Sequence, residues 1–389
     1  MSAPPASQKK KKKKRKGPFK IHRYGGWLLY FWHGMRFSAW VALLRRGKFD
    51  ITLNCLPNIL TVTIWAPVNS LLYYISEALY GRRADARELE PPVFILGHWR
   101  TGTTLLHDLM SCDRQLAAPT TYECFFPNHF LLSERAIGRV FNVFLPKKRP
   151  QDDVPVAMDR PQEDEFALSI LGLGTPYNSL AFPRHGPVDQ DYLDMEGLDE
   201  PARARWRDGF LWFCRRLALK HGRRLLLKSP PHTARLKLLL KLFPNARFIH
   251  ISRDPHAVVP STIKLWRALY STQGLHNPPQ LDPWLEDHVF DTFQRMDRAY
   301  EAGRALIPEG HLVEIRMEDF IADPRGVIES VYARLDLQGF AEAAPAFDAF
   351  LGARGIHAGG AYALTPEMES RIADQLAPYM ARFGYEPRG

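Results

Sequence analysis

The chain has 389 residues, 46% of them hydrophobic and 12% aromatic, enough for a large buried core and more than one average domain. Its formal net charge is +10, yet the unbroken cationic run Lys9 to Lys16 carries most of this, so the basicity belongs to a tail and argues against a nucleic-acid-binding domain. The four cysteines, Cys55, Cys112, Cys124 and Cys214, are scattered without Cys-x-x-Cys spacing, which points away from a disulfide framework and from a zinc site.

Residues 1–20 are polar, basic and punctuated by proline, and read as a disordered tail. Its cations favour an anionic lipid surface, at about 1 kcal/mol each before screening. Trp27 to Trp32 and then Phe37 to Leu44, followed by Arg45 and Arg46, read as an interfacial helix. From Ile51 to Ser76 there is no charged residue. Length alone permits a membrane span there, but Pro57 and Pro67 interrupt the run, and Asn54, Asn58 and Asn69 are costly in lipid. Three arrangements stay open: helices lying on or dipping into one leaflet, a helical subdomain packed on the catalytic core, or a span. The first is preferred, which makes residues 21–85 a helical, membrane-associating segment. No cleavable signal peptide is expected, because the apolar stretch begins late and lacks a clear cleavage site.

Gly81 to Pro92 reads as a linker into a single domain over residues 90–389. Strands are expected near 93–96, 225–228, 247–251 and 312–315 with helices between, an order that implies right-handed crossovers and a parallel sheet. Val93 to Leu96 runs into Gly97-His98-Trp99-Arg100-Thr101-Gly102-Thr103-Thr104, and Leu105 to Met110 reads as the helix beyond. Strand, glycine-bracketed turn and helix make an anion cradle from backbone N–H groups and a helix N-terminus. The glycines stand as in a Walker A loop, but Thr103 replaces the lysine and Arg100 is added, so the bound group differs from the phosphates of ATP. The acidic group Glu163-Asp164-Glu165 opens a helix and reads as complementing its dipole, with acceptor binding and a carboxylate metal site as the alternatives. Lys228 ends the strand Leu225-Leu226-Leu227 and points into the crevice beyond the strand ends. Ala246 to Ile251 leads to Ser252-Arg253-Asp254-Pro255, with Ser261 about two helical turns beyond Arg253. Arg253 offers a planar fork to a phosphate and Ser261 a hydroxyl. Glu123, between Tyr122 and Cys124, is expected to be partly buried, and burial raises a carboxyl pKa toward a useful value; its alternative role is an ion pair with Arg100 or a nearby cation. Gly352, Gly355, Gly359 and Gly360 mark a mobile loop near 354–363.

The Arg-Thr-Gly-Thr-Thr loop after the first strand, with the later Arg-Asp-Pro…Ser element, resembles sulfotransferases that use 3′-phosphoadenosine 5′-phosphosulfate (PAPS), in particular the broad bacterial group related to tyrosylprotein and glycan sulfotransferases. The resemblance runs from about Pro92 to the C-terminus. It implies a P-loop-like three-layer α/β fold with a central parallel sheet. Arg100, Thr101, Gly102, Thr103 and Thr104 would hold the 5′-phosphosulfate; Arg253 and Ser261 would hold the 3′-phosphate. Arg100 and Lys228 would be catalytic cations, and Glu123 the base that takes the proton of the acceptor hydroxyl. His98 and His107 are alternative bases, and His232 a group that touches the acceptor. No metal is implied. The Gly-x-x-Gly-x-x-Lys of many cytosolic members is missing, which leaves the adenosine clamp unassigned. The expected activity is sulfuryl transfer from PAPS to a hydroxyl of a lipid, glycan or other metabolite, by a cytoplasmic enzyme peripheral or monotopic at the inner face of the membrane. The rival readings are a P-loop-type kinase and a non-catalytic membrane-associated protein.

Overall fold

The computed structural model describes residues 30–141, 157–278, 284–354 and 362–388. Five strands form its centre: β1 (Val93–Leu96), β2 (Leu116–Ala117), β3 (Arg224–Lys228), β4 (Arg247–Ser252) and β5 (Leu312–Arg316). Four match the expected strands to within a residue at either end. The short β2 is an addition that no apolar run announces. The order across the sheet is β2-β3-β1-β4-β5, and every pairing is parallel.

The strands read as continuous apolar runs because both faces of the sheet are covered. Phe94, Leu96, Leu225, Leu227 and Phe248 pack on one side with Trp206, Phe210 and Phe213. Val93, Ile95, Leu226, Ile249, Ile251 and Val313 pack on the other with Leu106, Leu109 and Met110. Period-two alternation with apolar partners on both sides gives the helix–sheet–helix sandwich. β1 is the central strand. Ile95 lies level with Lys228 of β3, and Leu96 with His250 of β4. The carboxyl ends of β1, β3 and β4 therefore lie side by side, and the loops leaving them share one crevice.

The N-terminal helices are packed on this domain. Tyr30, Phe31 and Trp32 are buried, and Trp32 Nε1 donates to the Gln273 carbonyl at 2.8 Å, so this end of the expected interfacial helix faces protein. Trp27, Leu28 and the tail lie outside the described residues. Helix α1 (Phe37–Arg46) turns Trp40 inward. Helix α2 (Leu56–Ser76) runs on through a wider π-helical turn, Glu77–Gly81, and Arg82–Asp85, so helix stands where a linker was expected from Gly81. Pro57 sits in the first turn, where its missing N–H has no partner to lose, while Pro67 forfeits one hydrogen bond in a helix otherwise held by packing. Asn58 and Asn69 face inward, and Asn69 Nδ2 donates to the carbonyls of His33 at 2.5 Å and Met35 at 2.9 Å. The inner face of α2 packs on the protein core, and its outer face is exposed.

Candidate active site

The loop Gly97 to Thr104 joins β1 to helix α3 (Thr103–Met110). Gly97 has φ +147° and Gly102 φ +106°. A Cβ on Gly97 would lie 2.6 Å from the Ile251 carbonyl oxygen, and one on Gly102 2.3 Å from Met317 Sδ. Both positions need glycine for backbone angle and for space. Arg100 also takes a positive φ, +73°, an uncommon conformation for a residue with a side chain. Thr101 ties the turn, its Oγ1 donating to the His98 carbonyl at 2.8 Å, and the Gly97 N–H donates to Thr233 Oγ1 at 2.8 Å. Thr103 and Thr104 open α3, whose first-turn N–H groups lack helical partners.

The Arg-Asp-Pro element follows β4 for a local reason. Asp254 Oδ1 accepts from the His256 N–H at 2.9 Å and caps helix α4 (Pro255–Gln273), while Pro255 opens it. Arg253 is thereby left at the end of the strand. Arg100 Nε donates to Ser261 Oγ at 2.9 Å, and Arg253 Nη1 donates to the Arg100 carbonyl at 3.1 Å. Three residues chosen from two distant motifs are thus brought together. Burial lowers the Arg253 pKa, Glu318 raises it, and Arg100 lowers it again. Two guanidinium groups within each other's field favour an anion beside them.

Lys228 ends β3 with 2% of its side chain exposed, and its Nζ donates to Glu163 Oε1 at 2.8 Å. Glu163 precedes the short helix Asp164–Ile170. Its Oε2 accepts a short hydrogen bond from the Tyr177 hydroxyl, which accepts in turn from Trp99 Nε1 at 2.9 Å. A chain of hydrogen bonds therefore leads from the loop through Trp99, Tyr177 and Glu163 to Lys228. Burial, and then the Glu163 charge, push the Tyr177 pKa far up, so the phenol stays a donor. Trp99 sat in plain view within the loop, and Glu163 in an acidic group read as a dipole partner; Tyr177 carried no sequence signal.

The rest of that acidic group is structural. Asp164 Oδ2 accepts from His232 Nε2 at 2.6 Å and Oδ1 from Ser229 Oγ at 3.0 Å. Glu165 accepts from Arg235 at 2.6 and 2.8 Å. These side chains are fully buried, so three successive carboxylates lock onto Lys228, His232 and Arg235 beyond β3. The expected contact of His232 with an acceptor gives way to this buried pairing.

The structure puts Glu123 elsewhere. It is fully buried, and its Oε1 accepts from Lys220 Nζ at 2.6 Å and from His221 Nε2 at 2.7 Å. Its Oε2 accepts from the Thr120 N–H at 2.6 Å in a capping box. Lys220 and His221 precede β3 whereas Lys228 ends it, and the strand's rise separates its two ends by about 13 Å. Burial raises the Glu123 pKa, but His221 and Lys220 outweigh it and hold the carboxyl at about 2. A group so strongly ionised and enclosed is an anchor and a poor proton acceptor. A folded-state pKa below the unfolded one adds stability above about pH 4.5 that is lost as pH falls toward 2. Glu123→Gln should accordingly destabilise the protein by about 3 kcal/mol at pH 7, and the gap from wild type should narrow in urea titrations between pH 4.5 and 3. A gap independent of pH would count against the anchor.

Neither alternative base is better placed. His98 is buried, stacks on Phe293 with centroids 4.4 Å apart, and is held at about pKa 4 by burial. His107 Nε2 lies 3.3 Å from the Leu226 carbonyl, against the sheet. Among the described residues, Asp50, His185 and His276 gather metal-type ligand atoms. However, His276 Nε2 accepts from the Arg184 N–H at 2.9 Å and its Nδ1 lies 3.0 Å from an Asp50 carboxylate oxygen, so the cluster pins a turn. Of the expected glycine loop near 354–363, residues 355–361 lie outside the described residues.

A glycine-bracketed loop at the end of the central strand of a parallel sheet, faced by cations from the strands on either side, defines a P-loop-like nucleotide-dependent group transferase. The chain belongs to the sulfotransferase family, whose model matches residues 91–342. It is 36% identical, over 94% of both chains, to the omega-hydroxy-beta-dihydromenaquinone-9 sulfotransferase Stf3 of Mycobacterium tuberculosis, and equally to that of Mycobacterium bovis. The sulfotransferase STF9 of Mycobacterium avium superposes with a TM-score of 0.64 over 92% of this chain and 98% of that one, at 18% identity. STF1 of M. tuberculosis gives 0.62 over 88% and 92%, also at 18%. Those two structures share the fold. The protein is a sulfotransferase, an enzyme that moves a sulfuryl group to a hydroxyl acceptor, and the kinase and non-catalytic readings fall away.

Proposed function

We propose that residues 90–389 transfer the sulfuryl group of PAPS to a hydroxyl of a lipid acceptor at the inner face of the membrane, releasing adenosine 3′,5′-bisphosphate. The convergence of Arg100, Arg253 and Ser261 carries this reading. Arg100, Gly102, Thr103 and Thr104, with Thr101 shaping the turn, hold the 5′ end of the nucleotide; Arg253 and Ser261 hold its 3′-phosphate. When bound, PAPS supplies a sulfuryl group on a phosphate leaving group. Lys228 offers positive charge where negative charge builds on the leaving oxygen. Glu163 replaces Glu123 as the base, because it is the carboxylate bonded to Lys228. Tyr177 and Trp99 orient it, and it accepts the acceptor's hydroxyl proton. Arg100, Lys228 and Arg253 supply the cationic charge, so the reading calls for no metal and no nucleic acid. The lipid acceptor rests on the relatives' named substrate, an omega-hydroxylated dihydromenaquinone. The inner membrane surface rests on Lys9 to Lys16 and on the uncharged stretch after Ile51.

Calorimetry on Arg253→Ala tests the nucleotide assignment. Loss of a charge-assisted hydrogen bond should weaken adenosine 3′,5′-bisphosphate about ten- to a hundredfold, and adenosine 5′-monophosphate hardly at all. Equal losses for both ligands would remove Arg253 from the 3′-phosphate.

A further inference from the structure

Helix α2 has two apolar faces. Its inner face, with Ile59, Val62 and Ala66, belongs to the same buried cluster as Trp40, Trp99 and Tyr177. Its outer face carries Leu60, Ile64, Val68, Leu71, Ile75 and, one turn into the continuation, Leu79, all exposed, with Ile64 at 69% and Leu71 at 61%. The spacing of four, four, three, four and four residues puts them on one stripe. Trp65 and Tyr74 flank it, also exposed. A contiguous apolar strip of this length on a water-facing surface marks an interaction site. The cations stand at its ends: Arg45, Arg46 and Lys48 before the helix, and Arg82, Arg83 and Arg87 after it, all exposed. No charged residue lies on the helix from Leu56 to Ser76.

We propose that this stripe docks the enzyme on an anionic bilayer with α2 lying in the plane of the membrane, its outer face in the acyl region of one leaflet. The proposal rests on the lipid-acceptor reading above and assigns the surface and its orientation. Apolar centre, aromatic flanks and cationic ends match the layers of a leaflet seen from the side. The inner face argues against a span. Asn69 is tied to His33 and Met35, Trp40 Nε1 donates to Thr63 Oγ1 at 3.0 Å, and Arg216 pairs with Glu77 at 2.6 Å. The first two tie α2 to the N-terminal segment, whereas Arg216, together with His129 Nε2 at 3.2 Å from Asn69 Oδ1, holds it along the catalytic domain at its end and its middle. Threading α2 across a bilayer would break them or drag the domain into hydrocarbon. In-plane docking keeps them, and leaves one continuous apolar cluster between the leaflet and Trp99 and Tyr177, beside Glu163. An acceptor anchored by its apolar chain could then present its hydroxyl without leaving the lipid phase.

The test uses the full chain, without nucleotide, and vesicles of phosphatidylcholine with one-third phosphatidylglycerol. Salt at 0.5 M screens the cationic tail. Wild type should still sediment with vesicles, and the double variant Ile64→Glu, Leu71→Glu should bind roughly tenfold or more weakly, from the lost apolar burial. Its affinity for adenosine 3′,5′-bisphosphate should stay unchanged, which shows that it folds and separates docking from the catalytic reading. Undiminished vesicle binding would overturn the proposal in favour of the tail. A switch from dimer to monomer in sedimentation velocity, with vesicle binding intact, would assign the stripe to a second copy of the chain. Orientation is read from fluorophores on Leu60→Cys and Leu79→Cys, quenched by lipids labelled at known depth. Similar depths support the in-plane helix, and depths at opposite surfaces would mean a span.

Discussion

Glu163→Gln should lower turnover by roughly 10²–10⁴ while leaving the affinity for adenosine 3′,5′-bisphosphate nearly unchanged. The substitution keeps the shape of the side chain and its hydrogen bonds to Lys228 and Tyr177 in part, but it removes the proton acceptor. Glu123→Gln is the control, because its carboxylate is enclosed by Lys220 and His221. That variant should lose stability and keep its turnover once folded. The reverse pattern, with Glu123→Gln inactive and Glu163→Gln active, would return the base to Glu123 and require the Lys220 pair to open during the reaction.

Lys228→Met should cost about 10²–10³ in turnover, the usual loss for one group that stabilises charge in the transition state. Methionine fills similar volume, so the buried site should keep its packing. Nucleotide affinity should fall far less than turnover if, as proposed, the ground-state phosphates are held mainly by Arg100 and Arg253. The double variant with Glu163→Gln should be scarcely slower than the worse single one, since groups bonded at 2.8 Å act as a unit. Multiplicative losses in rapid-quench single turnovers would mean that the two act in separate steps.

What could be read directly was local in character. Four apolar strand runs, two glycines bracketing a turn, and an Arg-Asp-Pro whose aspartate caps a helix all depend on neighbours within a few residues. β2 escaped because two residues carry no periodicity and pair only because β3 lies beside them. Tyr177 escaped because its role consists of contacts with Trp99 and Glu163, one of them 78 positions away. The surroundings of Glu123 escaped for a related reason. Sequence spacing put Glu123 a short way beyond the loop, but a carboxylate's role depends on which cation it meets. Glu123 meets Lys220 and His221 where β3 begins, and Glu163 meets Lys228 where it ends.

From the order of residues alone came the parallel sheet, the glycine-bracketed loop and the two arginines that the structure brings together. Periodicity and backbone requirements are written in consecutive residues, and a strand must deliver its next residue to its own carboxyl end. Only the tertiary structure showed which cation each buried carboxylate meets, and which face of the uncharged helix packs on the domain. Both depend on partners brought in from remote parts of the chain. The same apolar helix that could cross a bilayer by composition is held lengthwise on the domain through Asn69 to His129 and Glu77 to Arg216, and its outer stripe is left exposed.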